Sequence, residues 1–445
     1  MTTAILERRL GLLSFTALVV GEVIAVGIFL TPAGMAQSLG SPLWLLVVWL
    51  LMGAMAFSGA LCFGELAARL PQAGGSYVYL RRAFGPLVSF LYGWKCLLVM
   101  DPGLTAALAV GMASYLGYLV DLSPIGLKAV AVGVILVLAA VNVIGLRFGA
   151  GVIRWLTALK LGALALIVVL AFGLGRGDYS NFMPFAAQRP GSEPLLFGLA
   201  GGLVGAFFAF GGWWEVSKLA GEARDPARTV PRALALGVAI VTVAYVLTSA
   251  AFIYLVPLDR VGSGETFAAQ AGEALFGAAG GRVFATIVVV SVLGSLAALL
   301  MALPRVYYAM ARDGVFFRRV AEVHPRFGTP ARAIAIQAVL GSLYVTLGTF
   351  EQILGYFIFI TVVFLGLTVA GLFVIRRRDA PAPFRTPGYP FTPIFFLALV
   401  LLLLVLLGAN RPLEAALGTA VVALGIPVYT ALFRKPENQS RERET

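Results

Sequence analysis

Gly21-Glu22-Val23-Ile24-Ala25-Val26-Gly27-Ile28-Phe29, followed by Thr31-Pro32, lies inside an apolar run that extends from Leu12 to Met35. A run of this length crosses a bilayer, since about 30 Å of hydrocarbon takes roughly 20 helical residues. Glycines and a proline in mid-membrane loosen the helix, and irregular backbone is tolerated there only where it lines a polar cavity or is covered by protein. A second run, Leu195–Leu219, is interrupted in a similar way at Phe210-Gly211-Gly212-Trp213. Two broken spans in one chain are the feature from which the rest of the fold is read.

Ten further apolar runs complete the set: Leu43–Ala68, Leu87–Val120, Ile125–Leu146, Ile153–Leu174, Val230–Val256, Phe284–Tyr308, Ala333–Phe350, Ile353–Ile375, Phe391–Leu407 and Leu413–Phe433. The interrupted runs are then the first and sixth of twelve, each opening a five-helix half. Because five is odd, the second half enters the membrane upside down, the arrangement in which broken helices meet at a midplane binding site. The expected fold is an all-α integral membrane protein forming a single domain over residues 1–445. A first repeat spans 10–174, an inverted second repeat 195–378, helices eleven and twelve 390–433, and a tail 434–445.

Composition agrees with this class. Of 445 residues, 60% are hydrophobic and 12% charged, where a soluble domain carries about 25% charged. The net charge of +12 is scattered in short gaps between apolar runs rather than gathered on one face, which argues against nucleic acid as a partner. With the N-terminus inside, about twenty-four of the 33 Lys and Arg fall on one side, as the positive-inside rule requires. Both termini are expected in the cytoplasm and the chain in the inner (plasma) membrane. Glu7, Arg8 and Arg9 precede a long apolar stretch without a cleavage site, so the first span is read as retained. Cys62 and Cys96 fall within apolar runs and read as small buried hydrophobes.

Enzymatic and energy-coupling motifs do not emerge. Ala73-Gly74-Gly75-Ser76 lacks the lysine of a phosphate-binding loop and reads as a turn. His324 has no companion ligands for a metal, and no cofactor is expected. A channel would need a continuous polar lining, whereas the polar groups here are few and concentrated at mid-membrane. A small-molecule substrate and the bilayer are the expected partners.

The breaks supply chemistry suited to a zwitterion. Unwinding near Ala25–Ile28 leaves amides at a half-helix N-terminus, which favour a carboxylate; unwinding near Phe208–Gly211 frees carbonyls, which favour an ammonium. Close packing of small residues is the competing explanation. Lys160, in the otherwise apolar stretch Leu156–Leu170, is functional by default at membrane depth; it is expected to sit where a sodium ion would, tying the first span to the fifth. After Ser295 the eighth span reads Leu296-Ala297-Ala298-Leu299-Leu300, without hydroxyls to complete an oxygen cage. Glu22, Asp101 and Glu215 are acids at membrane depth and candidate proton carriers. Phe208, Phe210, Trp213 and Trp214 lie at the second break, where a ring can cap an apolar side chain or simply pack.

The run from Gly21 to Phe29, then Gly64-Glu65-Leu66, Gly74-Gly75-Ser76-Tyr77, Phe208-Ala209-Phe210-Gly211-Gly212-Trp213, Asp225-Pro226-Ala227-Arg228-Thr229-Val230-Pro231 and Arg312-Asp313-Gly314 together resemble the amino acid, polyamine and organocation superfamily. Within it they are most like the L-type amino acid transporters, and the resemblance runs from about Leu10 to Pro436. It implies a leucine-transporter fold, alternating access and no sodium dependence, with Lys160 matching a family lysine. Phe208 matches the aromatic that closes over substrate, and Gly211 lies where the amino group binds. The implied substrate site is Ile24, Ala25, Val26 and Gly27 with Phe208, Phe210, Gly211 and Trp214; Phe208 is its gate, and Lys160, Glu22 and Asp101 are coupling residues. Three features depart from the family. Ala25-Val26-Gly27 replaces Gly-Ser-Gly, Glu22 replaces a small or hydroxylated residue, and Trp214 stands where relatives have a polar one.

The expected function is therefore sodium-independent secondary transport of neutral L-amino acids, by exchange or proton-coupled uptake. A polyamine or other organic-cation carrier and a non-transporting receptor on the same scaffold are the alternatives.

Overall fold

The computed structural model describes residues 10–25, 27–72, 74–144, 150–258, 261, 267–322, 324–348 and 350–433. Its long elements are α1 (Leu12–Val23), α2 (Gly27–Leu39), α3 (Pro42–Arg69), α4 (Ser76–Phe84), α5 (Pro86–Lys95), α6 (Asp101–Leu119), α7 (Pro124–Ile144), α8 (Ala150–Gly173) and α9 (Leu195–Phe210). They continue with α10 (Pro226–Leu255), α11 (Phe267–Ala302), α12 (Arg305–Arg312), α13 (Ala331–Leu347), α14 (Phe350–Arg378), α15 (Phe391–Asn410), α16 (Pro412–Ala423) and α17 (Gly425–Leu432). A π-helical turn, Cys96–Met100, joins α5 to α6 in one 34-residue apolar rod. Among the described residues ten helices are long and apolar enough to cross a membrane, and α1 with α2 forms an eleventh crossing bent by 43°. The 17-residue α13 is a shorter apolar helix.

The expected runs coincide with these helices except at the eighth. That run was expected at Phe284–Tyr308, but α11 begins much earlier, bends at Gly277 and stops at Ala302, and α12 is a separate helix. Pro304 accounts for the stop: it lacks an amide hydrogen, and its ring collides with the preceding turn. Leu303 and Pro304 form the turn between the two.

The interior is built from spans that carry small residues. α10 packs along α3 and α1, α2 along α9, and α11 along α6. Large apolar side chains such as Val137, Val169, Val339, Leu401 and Val405 point outward from α7, α8, α13 and α15, a surface that only a bilayer covers at low cost.

Polar contacts hold the basic end of the bundle. Glu65, fully buried near the end of α3, accepts from Arg69 at 2.9 and 3.0 Å, from Arg376 Nε at 2.8 Å, and from the amide and hydroxyl of Thr386 at 2.7 and 2.8 Å. One carboxylate thus ties α3 to the end of α14 and to the loop before α15. Arg81 on the amphipathic α4 meets Asp313 at 2.6 Å, and Arg82 meets Asp379 at 2.6 and 3.1 Å. The Arg82 guanidinium holds the Asp379 carboxyl below the usual carboxylate range. That contribution to stability is complete above the ordinary carboxyl range and disappears as pH falls through the lowered value.

Glu65→Ala leaves the half-buried Arg376 without its anion, a loss of up to about 3–5 kcal/mol, the range for a broken buried pair. The variant is expected to melt several degrees below wild type in detergent, with Glu65→Gln in between. Equal melting temperatures by differential scanning fluorimetry would refute the clamp.

Candidate functional site

The first break follows from hydrogen bonds that the helix does not complete. Ile24 N–H still donates to Val20 at 2.8 Å, but Ala25 N–H turns back to Val23 at 2.8 Å. In a continuous helix Ala25 would donate to Gly21; its departure releases the Gly21 carbonyl. Ile24 is buried and Ala25 half-buried, while Val26, an expected binding residue, lies outside the described residues. α2 then restarts at Gly27, where a helix N-terminus presents amides without intrahelical partners.

The second break is a turn between α9 and a 3-10 helix at Glu215–Glu222. Gly211 N–H donates to Phe208 at 3.0 Å, and Gly212 takes a φ of +106°, a conformation that suits glycine alone. A β-carbon on Gly212 would stand 3.1 Å from the carbonyl oxygen of Glu22, and one on Gly27 would collide with the backbone of Ala209. The two breaks therefore meet backbone to backbone, and glycine at each crossing makes the approach possible.

Tyr245 of α10 joins them. Its hydroxyl lies 3.0 Å from the Val23 carbonyl and 2.9 Å from the Ala209 carbonyl, and the residue is fully buried. One phenolic proton is shared between an acceptor from each break. A buried tyrosine hydroxyl requires such a partner, which is the one sequence signal that pointed to a residue sequence reasoning missed. Glu65 was missed likewise, noted only within a motif.

Lys160 reaches the released carbonyl. Its Nζ lies 3.4 Å from Gly21 O and 2.5 Å from Ser295 Oγ, and Ser295 in turn donates to Ser291 O at 3.3 Å. The lysine thus bridges α1, α8 and α11 while only 3% exposed. A cavity of about 40 Å³ beside it is lined by Gly21, Glu22, Thr157, Lys160 and Ser295 among others.

The other acids at membrane depth are placed differently. Asp101 is fully buried and accepts from Tyr307, leaving its second oxygen without a partner; Glu215 is held by Lys218 through one oxygen and is likewise unpartnered at the other. The backbone carbonyl of Asp101 accepts from Thr105 at 2.7 Å, and Thr105 from Gln337 at 3.0 Å. Buried Lys95 sits 2.8 Å from Met100 sulfur and 5.0 Å from the Tyr92 ring centroid. Lys128, by contrast, reaches the Thr346 carbonyl at 3.1 Å on an exposed edge.

The aromatic residues divide by direction. Phe208 meets Phe357 of α14 edge to face, with centroids 6.3 Å apart. Trp214 stacks on Phe207 at 5.9 Å and lies against Gly211. Phe210 turns away from these two, toward Trp49 at 6.1 Å and Tyr245 at 5.2 Å. Among the described residues no group of acids, histidines and cysteines is arranged to hold a metal; His324 stacks on Phe327 and accepts from the Arg326 amide.

Broken first and sixth spans, joined through their backbones and braced by a lysine, belong to a recognisable lineage. The profile of the amino acid permease family matches residues 10–431. The chain belongs to this family. It is similar to the serine/threonine exchanger of Bacillus subtilis, 29% identical over 97% of this chain and 98% of the relative. It also resembles the human large neutral amino acids transporter small subunit 2, at 30% identity over 95% of this chain and 80% of that one. The human cystine/glutamate transporter matches at 28% over 95% and 85%. The family and these relatives are transporters, so this permease is a multi-pass membrane transporter on an all-helical leucine-transporter fold, not an enzyme.

Tyr245→Phe removes the shared proton and leaves two buried carbonyls competing for other donors, at about 1–3 kcal/mol for each group left unmade. The variant is expected to keep its size-exclusion profile while transport in proteoliposomes slows by about tenfold or more. A wild-type rate would show that the hydroxyl does not hold the breaks.

Proposed function

We propose that this permease is a sodium-independent secondary transporter of neutral L-amino acids, acting by alternating access with both termini in the cytoplasm. The observation that carries the reading is the position of Lys160. A fixed ammonium bridging the released Gly21 carbonyl and Ser295 does what a bound sodium ion would do for the first, fifth and eighth spans. The amides at the start of α2 suit the substrate carboxylate, and the carbonyls released at Phe208–Gly211 suit its ammonium. Phe208 against Phe357 forms the lid, and two of the relatives are an exchanger of serine and threonine and a transporter of large neutral amino acids.

An organic cation is the competing substrate, favoured by the unpartnered oxygens of Asp101 and Glu215. Charge balance weighs against it. Glu22, Asp101 and Glu215 are matched by Lys95, Lys160 and Lys218, whose fields reach the same acids. A substrate with no net charge needs no further acid, whereas an organic cation would compete with these lysines for the same carboxylates.

Radiolabelled serine, threonine and leucine counterflow in proteoliposomes tests the reading. Uptake is expected to be the same in sodium and choline buffers and to be competed by neutral amino acids more than by putrescine or lysine. Lys160→Ala should lower the rate at least tenfold, and Phe208→Ala should slow transport more than it weakens binding, because an unsealed occluded state is less populated. Strict dependence on sodium, or a fully active Lys160→Ala protein, would overturn the assignment; equal transport by Phe208→Ala would remove the gate.

A further inference from the structure

The cavity between α1, α8 and α11 contains one group that the bridge does not use. Lys160 spends its hydrogen bonds on Gly21 O and Ser295 Oγ. Glu22 also lines the cavity, and among the described residues no hydrogen bond or ion pair reaches its carboxylate. It is half-buried in the last turn of α1, next to the break. Its backbone carbonyl faces Gly212 of the second break. The cavity, at about 40 Å³, is large enough for water, since one molecule needs roughly 10–15 Å³ of such space. An acid at membrane depth thus has room for water beside it, a lysine near it, the first break just after it and the second against its own carbonyl.

We propose that Glu22 is the proton-binding site of this permease and that one proton moves with each substrate. The inference rests on the transport reading above and assigns its coupling group. The charged groups facing Glu22 are Lys160 from α8 and, from the 3-10 helix after the second break, Glu215 and Lys218. On α10 the nearest titratable side chain, Tyr245, is engaged with the Val23 and Ala209 carbonyls, and α11 presents Ser295. Charged Glu22 attracts Lys160 and Lys218, which draws α1 against α8 and the 3-10 helix, and in a low-dielectric setting this attraction is strong. A proton taken from cavity water onto a carboxylate oxygen cancels it. Of the polar ties between α1 and α8 there then remains the single hydrogen bond from Lys160 to Gly21 O, and α1 is freer to swing. Release of that proton to water on the far side restores the carboxylate and the attraction. Asp101 and Glu215 are less suited to the task, because each is already engaged, by Tyr307 and by Lys218.

Two assays on the purified full chain in proteoliposomes separate this proposal from the reading beneath it. Serine counterflow at equal pH reports transport itself. Net serine uptake with acidic external buffer, the membrane potential clamped at zero by potassium and valinomycin, reports coupling. For one proton per substrate, a one-unit gradient supports up to about tenfold accumulation. Wild type is expected to approach that ratio, with an entrapped pH dye recording acidification on serine addition. Glu22→Gln is expected to give a ratio near one with no dye signal, whatever its counterflow rate. Wild-type counterflow without any response to the gradient, or a Glu22→Gln protein that still accumulates serine, would overturn the proposal while leaving the transport reading in place. Absence of counterflow in wild type for every amino acid tried would overturn both. Should Glu22→Gln lose counterflow, Glu22→Asp decides: a retained gradient response with a displaced pH midpoint supports the site, and an unchanged midpoint refutes it.

Discussion

Backbone groups released in the middle of a membrane have no water to turn to, and each left alone costs several kcal/mol. The two interrupted spans meet this demand largely through each other and through two side chains. Gly21 finds Lys160, while Val23 and Ala209 share Tyr245. Gly27 and Gly212 let the two stretches approach until a single added carbon would fill the gap. Everything at the site depends on this arrangement, because a break supported in this way still has amides and carbonyls to offer a ligand.

The charged residues act at two levels of the bundle. Near the basic end, Glu65 gathers Arg69, Arg376 and Thr386, while Arg81 and Arg82 fasten α4 to Asp313 and Asp379. Deeper in, the acids and lysines are more sparsely bonded, and one oxygen each of Asp101 and Glu215 has no hydrogen-bond partner among the described residues. A rigid periphery around a loosely satisfied centre suits a molecule whose centre must change conformation, since regions that move are drawn from the less stable part of a structure. The turn at Gly74 belongs to the same frame: its amide donates to Lys218 O at 3.3 Å, which joins the loop before α4 to the second break.

Much of this was legible in the sequence for physical reasons. Twenty-residue apolar runs report crossings directly, and glycine pairs inside them report the breaks, so both interruptions were located to within a residue or two. A lone lysine in an apolar stretch is costly enough to require a reason, and Lys160 was found on that ground. Tyr245 and Glu65 were not identified, because a tyrosine in an apolar span and a glutamate at a helix end are each common, and their partners lie far away in sequence: Val23 is 222 residues from Tyr245, and Arg376 is 311 from Glu65. The eighth run was misplaced because hydropathy averages over Pro304 and does not register the bend at Gly277. The direction of Phe210 was also hidden, since rotation of one helix by a single position decides whether a ring faces the break or Trp49.

The ammonium that braces the first break is attached to its helix by four methylene groups. A diffusing ion occupies such a place only in proportion to its concentration, and its binding falls away as the medium is diluted. A tethered group has a fixed effective concentration set by the length of its own side chain. The brace between α1, α8 and α11 is therefore part of the chain and is not drawn from solution. Its strength is written into the chain and can be adjusted only by substitution or by changing the charge of its neighbours.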